Sequence, residues 1–189
     1  MGGVKRFFDV CVAGLLLFFF GLPMLCLALL ILITSGRPII YWSERVGRDN
    51  KLFKMPKFRT MKKNTPPLAT HLLKNPNEYI TTVGKFLRKT SLDELPQLFN
   101  IFAGKMSFVG PRPALYNQDD LIALRTQKGI YKLIPGLTGW AQINGRDQLS
   151  ITEKVNYDEF YLKHKSVLLD FKILWRTFFN IIGGKGISH

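Results

Sequence analysis

The chain has 189 residues, with 27 Lys and Arg against 13 Asp and Glu, a formal net charge of +14. Hydrophobic residues make up 47% and aromatic residues 13%, which excludes a disordered or low-complexity chain and suits one domain plus a small appendage. A pI near 10.0 beside a mean hydropathy of +0.06 points to a polyanionic partner: nucleic acid, an anionic membrane surface or a phosphorylated substrate.

Residues 10–33 (VCVAGLLLFFFGLPMLCLALLILI) carry no charge. A helix needs about 20 apolar residues to cross the hydrocarbon core of a bilayer. The run is longer than the apolar part of a signal peptide, and no A-x-A pattern follows it. Apolarity on every face argues against a buried core helix, so membrane insertion is the best reading. Lys5 and Arg6 precede the run, and Arg37, Arg45 and Arg48 follow it. Both flanks therefore prefer the cytoplasm. A simple span cannot put both there. A re-entrant hairpin bent at Gly21 and Pro23 can, because proline removes a helical hydrogen bond. A kinked span is the alternative, since membrane helices tolerate proline. Cys11 and Cys26, the two cysteines, fall ~22 Å apart on one helix, beyond disulfide reach. His71, His164 and His189 are scattered without zinc spacing.

Residues 39–42 (IIYW) form a short β-like run. Six basic residues and no acid occupy 51–63, interleaved with Leu52, Phe53 and Phe58. They make either a solvated basic face or a stripe toward phosphates or lipid headgroups. Residues 64–77, with Pro66, Pro67 and Pro76, read as a loop. Leu92, Leu95, Leu98, Phe99 and Phe102 recur at helical steps, with Ser91 and Glu94 spaced as a capping box and Gly104 as a stop. Pro96 makes the first turn irregular, and Asp93 and Glu94 fall near a helix N-terminus. Gly110-Pro111-Arg112-Pro113 is a rigid turn. Residues 119–130 are weakly helical. Residues 135–146 (PGLTGWAQINGR) form a Gly-rich loop with polar members Thr138, Gln142, Asn144 and Arg146. From residue 166, Leu168, Phe171, Leu174, Trp175 and Phe178 form a helical stripe: a core helix, or an interfacial one favoured by the Trp with Lys172 and Arg176.

Asp93 and Glu94 are the first candidates for chemistry. A helix N-terminus keeps a carboxylate ionised, and Lys85, Arg88 and Lys89 stand just upstream. An ionised Asp beside bound phosphate can act as a nucleophile, and a neighbouring acid can share Mg²⁺. Adjacent acids are as readily an ordinary cap. Arg112 between two prolines offers a fixed guanidinium fork for phosphate, or is simply an exposed Arg on a turn. No GxxxxGK[ST], GxGxxG, GxSxG or HExxH is present, which removes P-loop, Rossmann, α/β-hydrolase and zincin readings.

The segments KFRTM (57–61), RKTSLDELPQLFN (88–100), GKMSFVGPRP (104–113) and PGLTGWAQINGR (135–146) together, in that order and spacing, resemble the bacterial sugar transferase family of monotopic phosphoglycosyl transferases. The resemblance covers nearly the whole chain. It implies an α/β fold, mostly helical with short strands. Residues 1–36 would form a re-entrant membrane helix-break-helix, and 37–189 a cytoplasmic catalytic domain with interfacial amphipathic helices. It also implies transfer of a phospho-sugar from a UDP-sugar to a polyprenol (undecaprenyl) phosphate, with UMP leaving. By that likeness Asp93 is the nucleophile, forming a covalent phospho-sugar intermediate and contacting Mg²⁺, and Glu94 is a second catalytic carboxylate that assists Mg²⁺ binding or acceptor positioning. Arg88 and Arg112 would hold phosphates, and Lys57 and Arg59 would be further substrate-binding residues. Thr138, Gly139, Gln142, Asn144 and Arg146 would line the donor pocket, and Asp158, in a later acidic–aromatic element with Tyr157 and Tyr161, would be a further substrate-binding residue. The expected setting is the cytoplasmic face of a bacterial inner membrane, among phospholipids, with a homodimer left open. The family often has Ser-Pro at the bend where this chain has Leu22-Pro23. Two rivals would also explain the charge. A nucleic-acid binder lacks any recognition signature here, so no nucleic-acid partner is expected, and a non-catalytic adaptor has no need of Asp93.

Overall fold

A computed structural model describes residues 2–65, 76–145 and 148–182. Helix α1, Gly3–Ser35, contains Pro23 and ends at Gly36, whose φ of +73° suits a glycine. Helical assignment runs through Pro23 without interruption, where the sequence suggests a break. Proline forfeits one hydrogen bond there but does not end the helix. The helix is long and apolar enough to cross a membrane, and its most apolar stretch is 6% buried. That exposure distinguishes it from the core helix of a soluble domain.

Strands β1, Ile40–Val46, and β2, Leu52–Phe58, pair antiparallel with Tyr41 opposite Lys57 and Arg45 opposite Phe53. The run at 39–42 thus extends further as strand, and the basic run at 51–63 is not one face. Its members differ in environment: Lys54 is exposed, Lys57 half-buried and Arg59 buried. Short helix α2, Pro76–Tyr79, and α3, Thr82–Lys89, follow, α3 capped by the Thr81 hydroxyl accepting from Gly84 N. The proposed loop at 64–77 lies mostly outside the described residues.

A 3₁₀ segment, Leu92–Gln97, leads into α4, Leu98–Phe102. Its irregularity agrees with Pro96. Ser91, however, sits in the left-handed region at φ 57° and makes no side-chain cap, so the capping box expected with Glu94 is absent. Such a box does occur at Ser150 and Glu153, heading α7. Strand β3, Ser107–Val109, helix α5, Asp119–Gln127, and β4, Gly136–Thr138, form a parallel pair with a crossover, Val109 opposite Thr138. Helix α6, Trp140–Ile143, follows. Residues 136–143 are therefore strand and helix rather than plain loop. The glycines explain how: a Cβ on Gly139 would lie 2.1 Å from Gly110 O, and one on Gly136 2.1 Å from Gly110 N, so β3 and β4 can touch only without side chains there.

Helices α7, Ile151–His164, and α8, Val167–Ile182, complete the described chain. The core joins Ala13 of α1, Met55 of β2, Ile101 of α4, Met106 and Ile173 of α8. A second cluster packs Met24 and Ile31 of α1 on Phe58 and Leu87. One face of α1 thus rests on the rest of the molecule along its length. The opposite side of α8 is apolar and open: Val167, Leu168, Phe171, Trp175 and Phe178 are all exposed.

Candidate active site

Asp93 and Glu94 lie in the first turn of the 3₁₀ segment, Asp93 8% exposed. That segment packs against β2, which brings Lys57 Nζ to 2.6 Å from Glu94 Oε1. The same oxygen is 3.5 Å from Arg112 Nη2. Arg88 Nε donates to the Thr60 hydroxyl at 2.9 Å and lies in the field of Asp93. The structure thus brings Asp93, Glu94, Lys57, Arg88 and Arg112 together. Arg45 joins them without having been singled out, except as a charge beside the apolar run. It shares the Lys57 face of the hairpin, donates from Nη1 to Pro113 O at 3.1 Å and from Nε to Ser43 Oγ at 2.9 Å. The β-alternation that puts residues 41, 43 and 45 on one face is the signal that could have found it.

The electrostatics are unequal. Burial pushes the Asp93 carboxyl up to about 6, opposed first by Lys57 and reinforced by Glu94. Burial also lowers Lys57, against the pull of Glu94, and lowers Arg45 to about 10, with Arg112 adding to the drop. Four cations (Lys57, Arg45, Arg88 and Arg112) meet two carboxylates. Within this set two positive charges are in excess. Desolvated cations in excess make a site for an anion with two or more charges.

Other predicted residues are placed differently. Arg59 is 7% exposed and donates Nη2 to the carbonyls of Ser35 and Gly36 at 2.6 and 2.8 Å, so it closes the C-terminus of α1. The Thr138 hydroxyl pairs with Thr177 of α8 at 2.7 Å. Gly139 serves the close approach to Gly110. Gln142 buries both amide atoms without a hydrogen-bond partner among the described residues. Asn144 donates to Trp140 O at 2.8 Å. Asp158 is 1% exposed and bound by Arg125 at 2.6 Å, and Arg125 also donates to Arg112 O at 2.8 Å. Tyr161 is buried and donates to Asp170 at 2.6 Å. Arg146 lies outside the described residues. Arg125 has no local sequence signal, because its carboxylate partner is 33 positions away.

The two adjacent carboxylates fit Mg²⁺ by their chemistry. Among the described residues no group of three or more His, Cys, Asp or Glu gathers as a metal cage. Mg²⁺ commonly takes one or two carboxylates and completes its shell with water and substrate phosphates.

The chain is similar to known proteins over most of its length. The chain is 40% identical to the UDP-glucose:undecaprenyl-phosphate glucose-1-phosphate transferase of Escherichia coli (strain K12), over 93% of this chain and 39% of that one. It thus spans well under half the length of that relative. It is 37% identical to the uncharacterized sugar transferase EpsL of Bacillus subtilis (strain 168), over 98% of this chain and 90% of the relative. With the exopolysaccharide production protein ExoY of Sinorhizobium fredii (strain NBRC 101917 / NGR234) the identity is 38%, over 94% and 85%. The pattern that defines bacterial sugar transferases extends over residues 2–184, through the apolar helix, the carboxylate pair and the Arg112 turn alike, and the chain belongs to that family.

Proposed function

We propose that this chain transfers a phospho-sugar from a UDP-sugar to polyprenol phosphate at a membrane, releasing UMP, as the first membrane step of a glycan assembly. The excess of two half-buried positive charges beside the buried Asp93 carboxyl carries the reading. A UDP-sugar brings a diphosphate, which Arg112, Arg45, Lys57 and Arg88 are placed to neutralise. Phosphoryl transfer depends on such positioning and charge compensation. The ionised Asp93 attacks the phosphorus that bears the sugar. The P–O bond to UMP breaks and UMP departs with the electron pair, leaving an aspartyl phospho-sugar. The phosphate oxygen of the polyprenol phosphate then attacks the same phosphorus, and the Asp93 carboxylate is restored. Lys57 and Arg112 hold Glu94 beside this centre. Asp93 and Glu94 would hold Mg²⁺, which when bound supplies further charge neutralisation on the diphosphate.

The lipid acceptor requires a site at the bilayer surface. Both ends of α1 are tied to the same body. Lys5 pairs with Asp170 of α8, Arg6 donates to Ile101 O and Phe102 O at 2.7 Å each, and Arg59 holds Ser35 O and Gly36 O. Two ends on one body favour a re-entrant, monotopic insertion from the cytoplasmic face over a span. The exposed face of α8 lies in the interface: burying a large apolar side chain yields ~1.5–3 kcal/mol, and five such residues supply enough to hold the helix there.

UMP release from a panel of UDP-sugars, measured with purified protein, Mg²⁺ and polyprenol phosphate beside Asp93→Asn, tests the reading. UMP from a donor, lost in the variant, supports it. No UMP from any donor with folded protein removes it.

A further inference from the structure

We propose that Arg125 and Asp158 form a positioning pair that orients Arg112, and so governs binding of the donor diphosphate. The proposal rests on the reading of Arg112 as a phosphate ligand.

Arg112 stands between Pro111 and Pro113, which have no N–H to anchor the turn. The turn is held by its carbonyls instead. Pro111 O accepts from Gly136 N at 2.9 Å, Pro113 O from Arg45 Nη1 at 3.1 Å, and Arg112 O from Arg125 Nη1 at 2.8 Å. Arg125 is in turn fixed on its other edge, Nε and Nη2 lying 3.0 and 2.6 Å from Asp158 Oδ2. Asp158 is 1% exposed on α7. The guanidinium plane thus runs from a buried carboxylate on one helix, through α5, to the backbone of the residue whose side chain reaches Glu94.

Only an arginine does this. Its planar fork offers donors on two edges at once, whereas a lysine offers one point charge. A buried ion pair adds little net stability over apolar residues of the same volume. Its effect here is therefore orientation: the pair fixes Arg112 Cα, and with it the arc through which the Arg112 side chain can turn.

The test is a double-mutant cycle of Arg125→Lys with Arg112→Ala, read as kcat and KM for the UDP-sugar donor and for polyprenol phosphate, beside thermal unfolding. Arg125→Lys should raise the donor KM about tenfold with the acceptor KM unchanged, and change the donor KM by less than about twofold once Arg112 is Ala. An equal rise in both backgrounds overturns the proposal. A fall in kcat with both KM values unchanged marks a smaller folded fraction and overturns it too. If Arg125→Lys does not fold, Asp158→Asn goes through the same cycle, and failure of both to fold assigns the pair to the core alone. Absence of UMP from the parent protein defeats the functional reading and this proposal together. UMP with an additive cycle defeats only the proposal.

Discussion

Lys57 Nζ sits 2.6 Å from Glu94 Oε1, joining a strand to a 3₁₀ turn 37 positions later. Burial lowers Lys57 and Glu94 opposes that shift, so each charge keeps the other tolerable in a poorly solvated place. The contact also sets where the Glu94 carboxylate lies relative to Asp93 beside it.

Removing that cation should therefore cost more than one hydrogen bond. Lys57→Met is expected to lower kcat/KM about 100-fold, through loss of a charge near the transferred phosphoryl group. Lys57→Arg should keep part of the activity. UMP release kinetics check both, and a Lys57→Met enzyme at parent rates would remove Lys57 from the site.

Asp93 couples activity and stability with opposite signs. Its folded carboxyl holds a proton up to about pH 6, against 3.8 ordinarily. The stability it contributes is whole below about pH 4 and is lost as pH rises through about 6. At neutral pH the buried carboxylate costs about 3 kcal/mol, at about 1.4 kcal/mol per pH unit. Without added metal, Asp93→Asn should unfold at a higher temperature than the parent at pH 7.5 and at a similar one near pH 4. Parent kcat/KM should fall as pH drops below about 6, because the nucleophile becomes protonated. Equal unfolding temperatures at both pH values would contradict the shift.

Divalent metal should be required for turnover. Excess EDTA is expected to stop UMP release and added Mg²⁺ to restore it, since two carboxylates alone leave the diphosphate incompletely neutralised. Undiminished turnover in EDTA removes the metal from the mechanism.

Both ends of α1 should face one side of the membrane. With Cys11→Ala and Cys26→Ala as background, Gly3→Cys and Arg37→Cys are each labelled by an impermeant maleimide. Reaction of both only in inside-out vesicles is expected. Labelling from opposite sides would establish a span.

Gly139→Ala should be destabilising, because its Cβ would meet Gly110 O at 2.1 Å. Backbone is a poor yielder, so the loss is expected to be about 2 kcal/mol or more. A lowered unfolding temperature checks this, and an unchanged one would mean that β3 and β4 can separate without cost.

What the sequence determined by itself was local. The apolar run at 10–33 specified the exposed helix through composition alone. The spacing of Leu168, Phe171, Trp175 and Phe178 specified an amphipathic helix, and the peptide bond makes Asp93 and Glu94 neighbours in any fold. Four ordered motifs identified the family. Tertiary structure decided the rest, because long-range contacts depend on which surfaces bury each other and leave no period in the chain. Arg45 entered the site only when the β1–β2 pairing put it on the same face of the hairpin as Lys57. Arg59 went to the end of α1, and Thr138 turned to Thr177. Residues 136–138 became a strand because β3 lay close enough to pair across glycines. Arg125 and Asp158 met 33 positions apart because α5 and α7 pack together, and neither residue has a neighbour in sequence that foretells the other.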